Sequence, residues 1–312
     1  MRLAKQVILL LVITSLFACE RQIEKPLRVG TIPWAGFEIL YLARDLAYYD
    51  TAQIQLKELT STTDILNAFR QGQLDAIAVT LDEALRLAEN QSDLKIILIF
   101  NISDGADKLI VTPSITSLAE LKGKRIAVEQ SGVGAYMMSQ ILQMANLSPN
   151  DIIIIPSTVN QHPIMLSNGE VDAVISFDPI AYQLQKQGYI NLMDSRMLSG
   201  QIVDVLVTRD IALQQQRKNL QQLLEGYWKA RKYMADNPTD AISRIAPRLG
   251  LTSEELVLLY ENLILPEREH QQTIFNQQLE SIIEPMNTLM IETGLLKNAI
   301  DSKQLLVHDF LD

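Results

Sequence analysis

The stretch IQLKELTSTTDILNAFRQGQLDAIAV, residues 54–79, decides the fold. It opens on Ile54 to Leu59, which reads as a strand. A Ser/Thr/Asp cluster follows and caps the start of a helix over Thr62 to Arg70, which Gly72 ends. Asp75 to Val79 reads as a second strand, short and apolar. Apolar runs separated by an amphipathic helix are the pattern of parallel strands covered on both faces.

The same alternation extends outward. On the N-terminal side, Leu27 to Ile32 reads as a strand and Phe37 to Tyr49 as a helix; on the other, Asp82 to Glu89 is helical and Ile96 to Phe100 a strand. The rhythm restarts after Thr112-Pro113. Ser117 to Lys122 is a short helix, Lys124 to Glu129 a strand, Gly134 to Ala145 a helix and Asp151 to Ile155 a strand. A helix to Ser167, a strand over Val171 to Phe177 and a helix over Ile180 to Lys186 complete this second unit. Lys108 to Thr112 and Val203 to Thr208 bracket it and are expected to form a two-stranded hinge. Helical patterns then cover Arg217 to Ala235, Thr239 to Leu249, Ser253 to Leu263 and Gln278 to Gly294. The expected class is α/β with two lobes, each a mainly parallel sheet flanked by helices, and a helical C-terminal extension. Residues 27–110 and 205–312 are assigned to lobe 1, and 111–204 to lobe 2. A two-domain dinucleotide enzyme shares this alternation, but no G-x-G-x-x-G follows the first strand, where the chain reads Gly30-Thr31-Ile32-Pro33-Trp34-Ala35-Gly36.

The N-terminus reads as an export signal over residues 1–18. Arg2 and Lys5 precede an uncharged apolar core, Val7 to Ile13, and Leu16-Phe17-Ala18-Cys19 closes the segment. The apolar run is too short to span a bilayer, which takes about 20 residues. Leu16, Ala18 and Cys19 resemble the lipobox of bacterial lipoproteins, which implies a diacylglyceryl (palmitate-type) anchor on Cys19 and a polar tether over residues 19–26. An ordinary signal peptide ending near a cysteine is the competing reading. Cys19 is the single cysteine, which leaves no thiol for a disulfide or a zinc site.

The net charge is −10, and no basic stripe suited to nucleic acid occurs. His162, His270 and His308 lack metal-ligand spacing. No Gly-x-Ser-x-Gly elbow is present, since Gln130-Ser131-Gly132-Val133-Gly134 lacks its first glycine. Neither an enzyme nor a cofactor or metal is expected.

Five stretches carry a more specific likeness. They are Leu27-Arg28-Val29-Gly30 with Pro33-Trp34-Ala35-Gly36 and Leu40-Tyr41-Leu42-Ala43-Arg44; Ala68 to Ala76; Ser103-Asp104-Gly105-Ala106-Asp107; Leu121 to Glu129 with Ser131-Gly132-Val133; and Asn168 to Val174 with Asp178-Pro179. In this order they resemble the nitrate/sulfonate/taurine-type solute-binding proteins of ABC importers, a group that includes binders of thiamine pyrimidine precursors. The resemblance implies a two-lobed periplasmic binding protein of type II-like architecture. It implies a monomer on the periplasmic side of a bacterial membrane that delivers a small sulfonate-, nitrate- or aminopyrimidine-like solute to an ABC permease. A module that reports ligand occupancy to a membrane sensor is the alternative.

In that family the ligand lies between the lobes, at the carboxyl ends of strands, where helix N-termini present backbone N–H groups. The corresponding candidates here are Trp34, Gly36 and Glu38 after the first strand, Ser61 and Thr62 at the second helix, Thr80 and Asp82 after the third strand, Gln130, Ser131, Gly132 and Val133 in lobe 2, and Asp178. Trp34 offers an apolar face and one N–H donor, with core packing as the alternative. Gln130 to Gly134 suits an oxyanion such as a sulfonate or carboxylate, or is a plain glycine turn. The acidic residues Glu38, Asp82, Asp104, Asp107 and Asp178 pull the other way, toward an amine, amidine or aminopyrimidine, and each alone also reads as a turn or helix cap.

Overall fold

The computed structural model describes residues 25–198, 200–275 and 279–307. The export segment, Cys19, most of the tether, Gln278 and His308 lie outside the described residues.

The strands are β1 (Leu27–Thr31), β2 (Ile54–Glu58), β3 (Ala76–Thr80), β4 (Leu94–Ser103), β5 (Asp107–Val111), β6 (Arg125–Val128), β7 (Ile153–Pro156), β8 (Ala173–Phe177), β9 (Ile190–Asp194), β10 (Val203–Arg209) and β11 (Leu263–Ile264). They form two sheets, ordered β11-β4-β10-β3-β1-β2 and β7-β6-β8-β5-β9. The two-lobed α/β architecture is the expected one, but each sheet is mixed. Parallel pairing holds for β2-β1-β3 and β7-β6-β8, the parts joined by crossover helices. The pairs made by β5 and β10 are antiparallel, because these strands enter their sheets from the opposite lobe, and the edge strand β11 also runs antiparallel to β4.

That exchange corrects the expected hinge. β5 and β10 do not pair with each other; each sits inside a different sheet. The chain changes lobe at 104–106, ahead of the expected boundary at 110, and returns across 195–202. Ser195 ties the two crossings together: its hydroxyl lies 2.8 Å from Ser103 Oγ and accepts from Gly105 N at 2.7 Å. The strand β9 escaped the sequence reading, as did the edge strand β11.

Lobe 1 and the helical tail share one apolar core, in which Leu220, Leu223 and Tyr227 of the helix Arg217–Asp236 are fully buried. Phe37, Phe100 and Tyr227 stack edge-on in series, with centroids 5.1 and 5.5 Å apart. Lobe 2 carries a core on each face of its sheet, one built on Leu109, Ile126 and Met137, the other on Ile110, Val174 and Leu184. No described helix is long and apolar enough to cross a membrane.

Candidate ligand-binding site

The loop after β1 is held from three sides. Tyr260 donates its hydroxyl proton to Ala35 O at 3.0 Å, Arg248 pairs with Glu38 at 2.6 Å, and Gly36 packs directly under Asn101 and Trp34. A Cβ on Gly36 would lie 2.0 Å from Asn101 Nδ2 and 2.7 Å from Trp34 Nε1. The loop therefore needs glycine for close approach, and in return it fixes the indole.

Trp34 projects to the interface between lobes and meets Phe177 of lobe 2 edge-on, with centroids 5.5 Å apart at 90°. Together with Ile32, Phe37, Thr62, Ala78, Val79, Thr80, Val133 and three acids, Glu83, Asp107 and Asp204, they line a narrow cavity of about 20 Å³ in this closed form. This lies at the carboxyl ends of β1, β3 and β8, where open α/β sheets place ligands.

The lobes are closed over the cavity by a reciprocal pair of carboxylates. Glu83 of lobe 1 accepts from Val133 N of lobe 2 at 2.8 Å, while its other oxygen accepts from Thr80 N at 2.9 Å. Glu129 of lobe 2 accepts from Thr63 N and Oγ1 of lobe 1 at 2.7 and 2.6 Å. Thr63 Oγ1 also lies 2.5 Å from Ser131 Oγ, and Arg86 donates to Gln130 O at 2.8 Å. Val133 opens the helix Val133–Ala145, and Thr63 lies in the first turn of Thr62–Arg70. Each lobe thus caps a helix of the other with a carboxyl group.

The cavity acids are desolvated. Burial pushes Asp107 up to about 7, against the pull of Ser103 and Lys108. Burial raises Asp82, and raises Glu83 and Asp204 well above the carboxylate range; the neighbouring Asp82 adds to the rise in Glu83, and Asp107 to that in Asp204. Trp34 and Asn101 lie beside Asp204 and oppose its rise. Even so, Trp34 Nε1, both Asn101 side-chain polar atoms, Asp82 Oδ2 and Asp204 Oδ2 have no well-formed hydrogen bond.

A family model described as "NMT1/THI5 like" matches residues 34–241. The chain belongs to the NMT1/THI5-like family. No curated protein sequence matches it. Among solved structures it is similar to the alkanesulfonate-binding protein SsuA of Xanthomonas axonopodis pv. citri bound to MOPS, with 17% identity, 91% of this chain and 98% of that one covered, and a TM-score of 0.74. It is similar to the ligand-binding component of an ABC-type import system from Staphylococcus aureus with zinc bound, with 12% identity, 92% and 98% covered, and a TM-score of 0.77. The desulfurization enzyme DSZB, as a mutant in complex with biphenyl-2-sulfinic acid, shares the fold at 17% identity, 93% and 98% covered, and a TM-score of 0.66. At these identities the likeness is one of fold, the two-lobed periplasmic binding-protein fold.

Of the candidates read from sequence, Trp34, Thr62, Thr80 and Val133 line the cavity. Gly132 lines a smaller space beside it. Gly36 and Ser131 act from behind, the first under the indole and the second on Thr63. Asp82 is buried next to the lining acids, its Oδ1 accepting from Thr80 Oγ1 at 2.7 Å. Ser61 caps its own helix, accepting from Asp64 N at 3.1 Å.

Three candidates are drawn away from the cavity. Glu38 is fully buried against Arg248, which also pairs with Glu58 at 2.7 Å. Burial lifts the Glu38 carboxyl to about 7 despite Arg248. Asp178 is bound by Lys108 and Asn262. The Gln130 side chain is exposed, and only its carbonyl serves the closure.

The sequence reading placed the loop from Phe177 to Pro179 among its candidates but passed over Glu83 and Asp204, which also line the cavity. Asp204 sits within an apolar strand pattern and reaches the cavity only through its pairing opposite Thr80. At Gln130 to Gly134, which reads as an oxyanion site or as a plain glycine turn, the Val133 N–H is taken by Glu83.

Proposed function

We propose that the chain is an extracytoplasmic solute-binding protein that captures a small organic solute between its lobes and delivers it to an ABC transporter. The observation that carries this reading is the cavity walled by Trp34 of lobe 1 and Phe177 of lobe 2, lined with polar atoms that lack partners. Buried polar groups normally find partners, and a ligand supplies them here. Contacts to both lobes favour the closed form, and that preference is what drives closure. Membership in the NMT1/THI5-like family and the shared fold with import-system components support the same reading. The lipobox-like Leu16-Phe17-Ala18-Cys19 supports anchoring of the chain by Cys19 on the outer side of a membrane.

A thermal-shift panel of sulfonates, nitrate, aminopyrimidines, amines and amino acids tests capture. A ligand at ~100 times its dissociation constant adds about 2.7 kcal/mol of stability. Trp34→Ala abolishes that shift while the chain still folds; an undiminished shift removes Trp34 from the site. Labelling with a palmitate analogue that survives Cys19→Ala overturns the anchor.

A further inference from the structure

Four carboxyl groups converge where the lobes meet. Asp82 and Glu83 come from the first turn of Leu81–Ala88, Asp107 from β5 and Asp204 from β10, and none is more than 3% exposed. Among the described residues lining the cavity there is no Lys, Arg or His. The charged groups nearest the cluster are already committed: Lys108 to Asp178, Arg86 to the Gln130 carbonyl at the rim, and Glu129 to Thr63. Lys108 and Arg86 act on the cluster only from a distance, and Asp204 Oδ2 and Asp82 Oδ2 are left without hydrogen-bond partners. Burying carboxylates without counter-charge is expensive, and the groups hold protons instead. Their upward pKa shifts agree with this.

The anion alternative is closed by the chain itself. The N-termini of Thr62–Arg70 and Val133–Ala145 are the natural oxyanion sites at this interface. Glu129 and Glu83 occupy them at 2.7 and 2.8 Å. A sulfonate entering the closed cleft meets four acids and no cation.

Resting on the reading of the chain as a solute-binding protein, we propose that its ligand is a compact organic cation with N–H donors, an ammonium or amidinium. Asp107, Asp204 and Asp82 hold it against Trp34. The donors satisfy the orphan carboxyl oxygens, and the positive charge takes the place of protons on the acids. The indole face adds a cation–π contact. Because the bound cation favours ionised acids, binding releases protons, and affinity rises as the pH is raised from about 5 to about 8.

The test is titration calorimetry on the mature chain with methylguanidinium, acetamidinium and putrescine, set against ethanesulfonate and nitrate. At least one cation is expected to bind saturably, with an apparent enthalpy that depends on the buffer's ionisation enthalpy, the mark of proton release. Asp204→Asn weakens that cation about 10-fold or more and flattens the pH dependence. Asp107→Asn does the same and guards against a folding defect in the first variant. Saturable binding of ethanesulfonate or nitrate, with the cations silent, overturns the cation assignment and leaves solute capture standing. Silence from all five probes overturns the cation assignment, and the broader thermal-shift panel then decides capture separately.

Discussion

The two lobes are braced alike at one end and differ at the other. In lobe 1 the Arg28 backbone and guanidinium bind Asp75, and one guanidinium nitrogen binds Gly72 O at 2.9 Å. In lobe 2 Arg125 binds Asp172 in the same way, and Gly169 O at 2.8 Å. Each pair is separated by 47 residues, and each arginine reaches a glycine 44 residues on. Both braces tie the start of one parallel strand to the entry of the next, away from the cleft. At the carboxyl ends the likeness stops. Lobe 1 brings Asp82, Glu83 and Asp204 to the cavity, and lobe 2 brings Asp107. The shared end braces the strands, and the unlike end carries the proposed ligand contacts.

Variants can break this contrast, and the largest effect is expected where lobe 1 buries a charge to hold its loop. Arg248→Met leaves Glu38 buried without its cation and costs about 3 kcal/mol in urea unfolding at about pH 8. The loss is smaller at about pH 5. Glu38 already titrates near 7 in the folded state, and the variant raises that further, so under mildly acidic conditions the carboxyl is neutral. Gly36→Ala comes next. It pushes a methyl into Asn101 and Trp34, costs about 2 kcal/mol and abolishes ligand binding.

The braces sharpen the comparison from the other side. Asp75→Ala and Asp172→Ala each remove the carboxylate that holds an arginine's backbone N–H and guanidinium, and each is expected to lower the denaturant midpoint. Equal losses measured by denaturant midpoint support the equivalence of the two ends; a difference above about 1 kcal/mol breaks it. The smallest stability effect belongs to Gly132→Ala. Its methyl would lie 3.2 Å from Glu83 Oε1, across the interface, so it presses on closure rather than on its own lobe. Ligand affinity falls while unfolding shifts by no more than about 0.5 kcal/mol.

The cavity acids also fix a pH dependence without ligand. Their folded pKa values are raised, so the folded chain binds more protons than the unfolded one. That contribution to stability is full below about pH 4 and is lost as the pH rises through about 7, where Asp107 titrates; Glu38, buried outside the cavity, adds the same sign. His162, buried without a partner and pushed down to about 4, has the opposite sign, adding stability as the pH rises from about 4 to about 6.5. The acids outnumber it, and melting of the ligand-free chain is expected at a lower temperature at about pH 8 than at about pH 5. Asp204→Asn reduces that difference.

The fold was legible because its signals are local. Thr62–Arg70 and Ile180–Lys186 fall where capping and periodicity put them. Trp34, Thr80 and Val133 line the cavity because they follow strand ends, which the sequence pattern locates. The misses are non-local. Asp204 gained its role from the strand across from it, and Glu83 looked like an ordinary first-turn acid until lobe 2 closed onto it. Glu38 misled for the converse reason, since its partner Arg248 lies 210 residues away. The hinge was misplaced because an apolar strand pattern does not say which sheet receives it.

The Ser195 hydroxyl, which touches Ser103 Oγ and Gly105 N, pins the two crossings into a single axle. Two separate tethers would let one lobe both twist and rock upon the other. Coupled through one side chain, the two crossings resist independent displacement, and Ser195→Ala is expected to loosen the link between them.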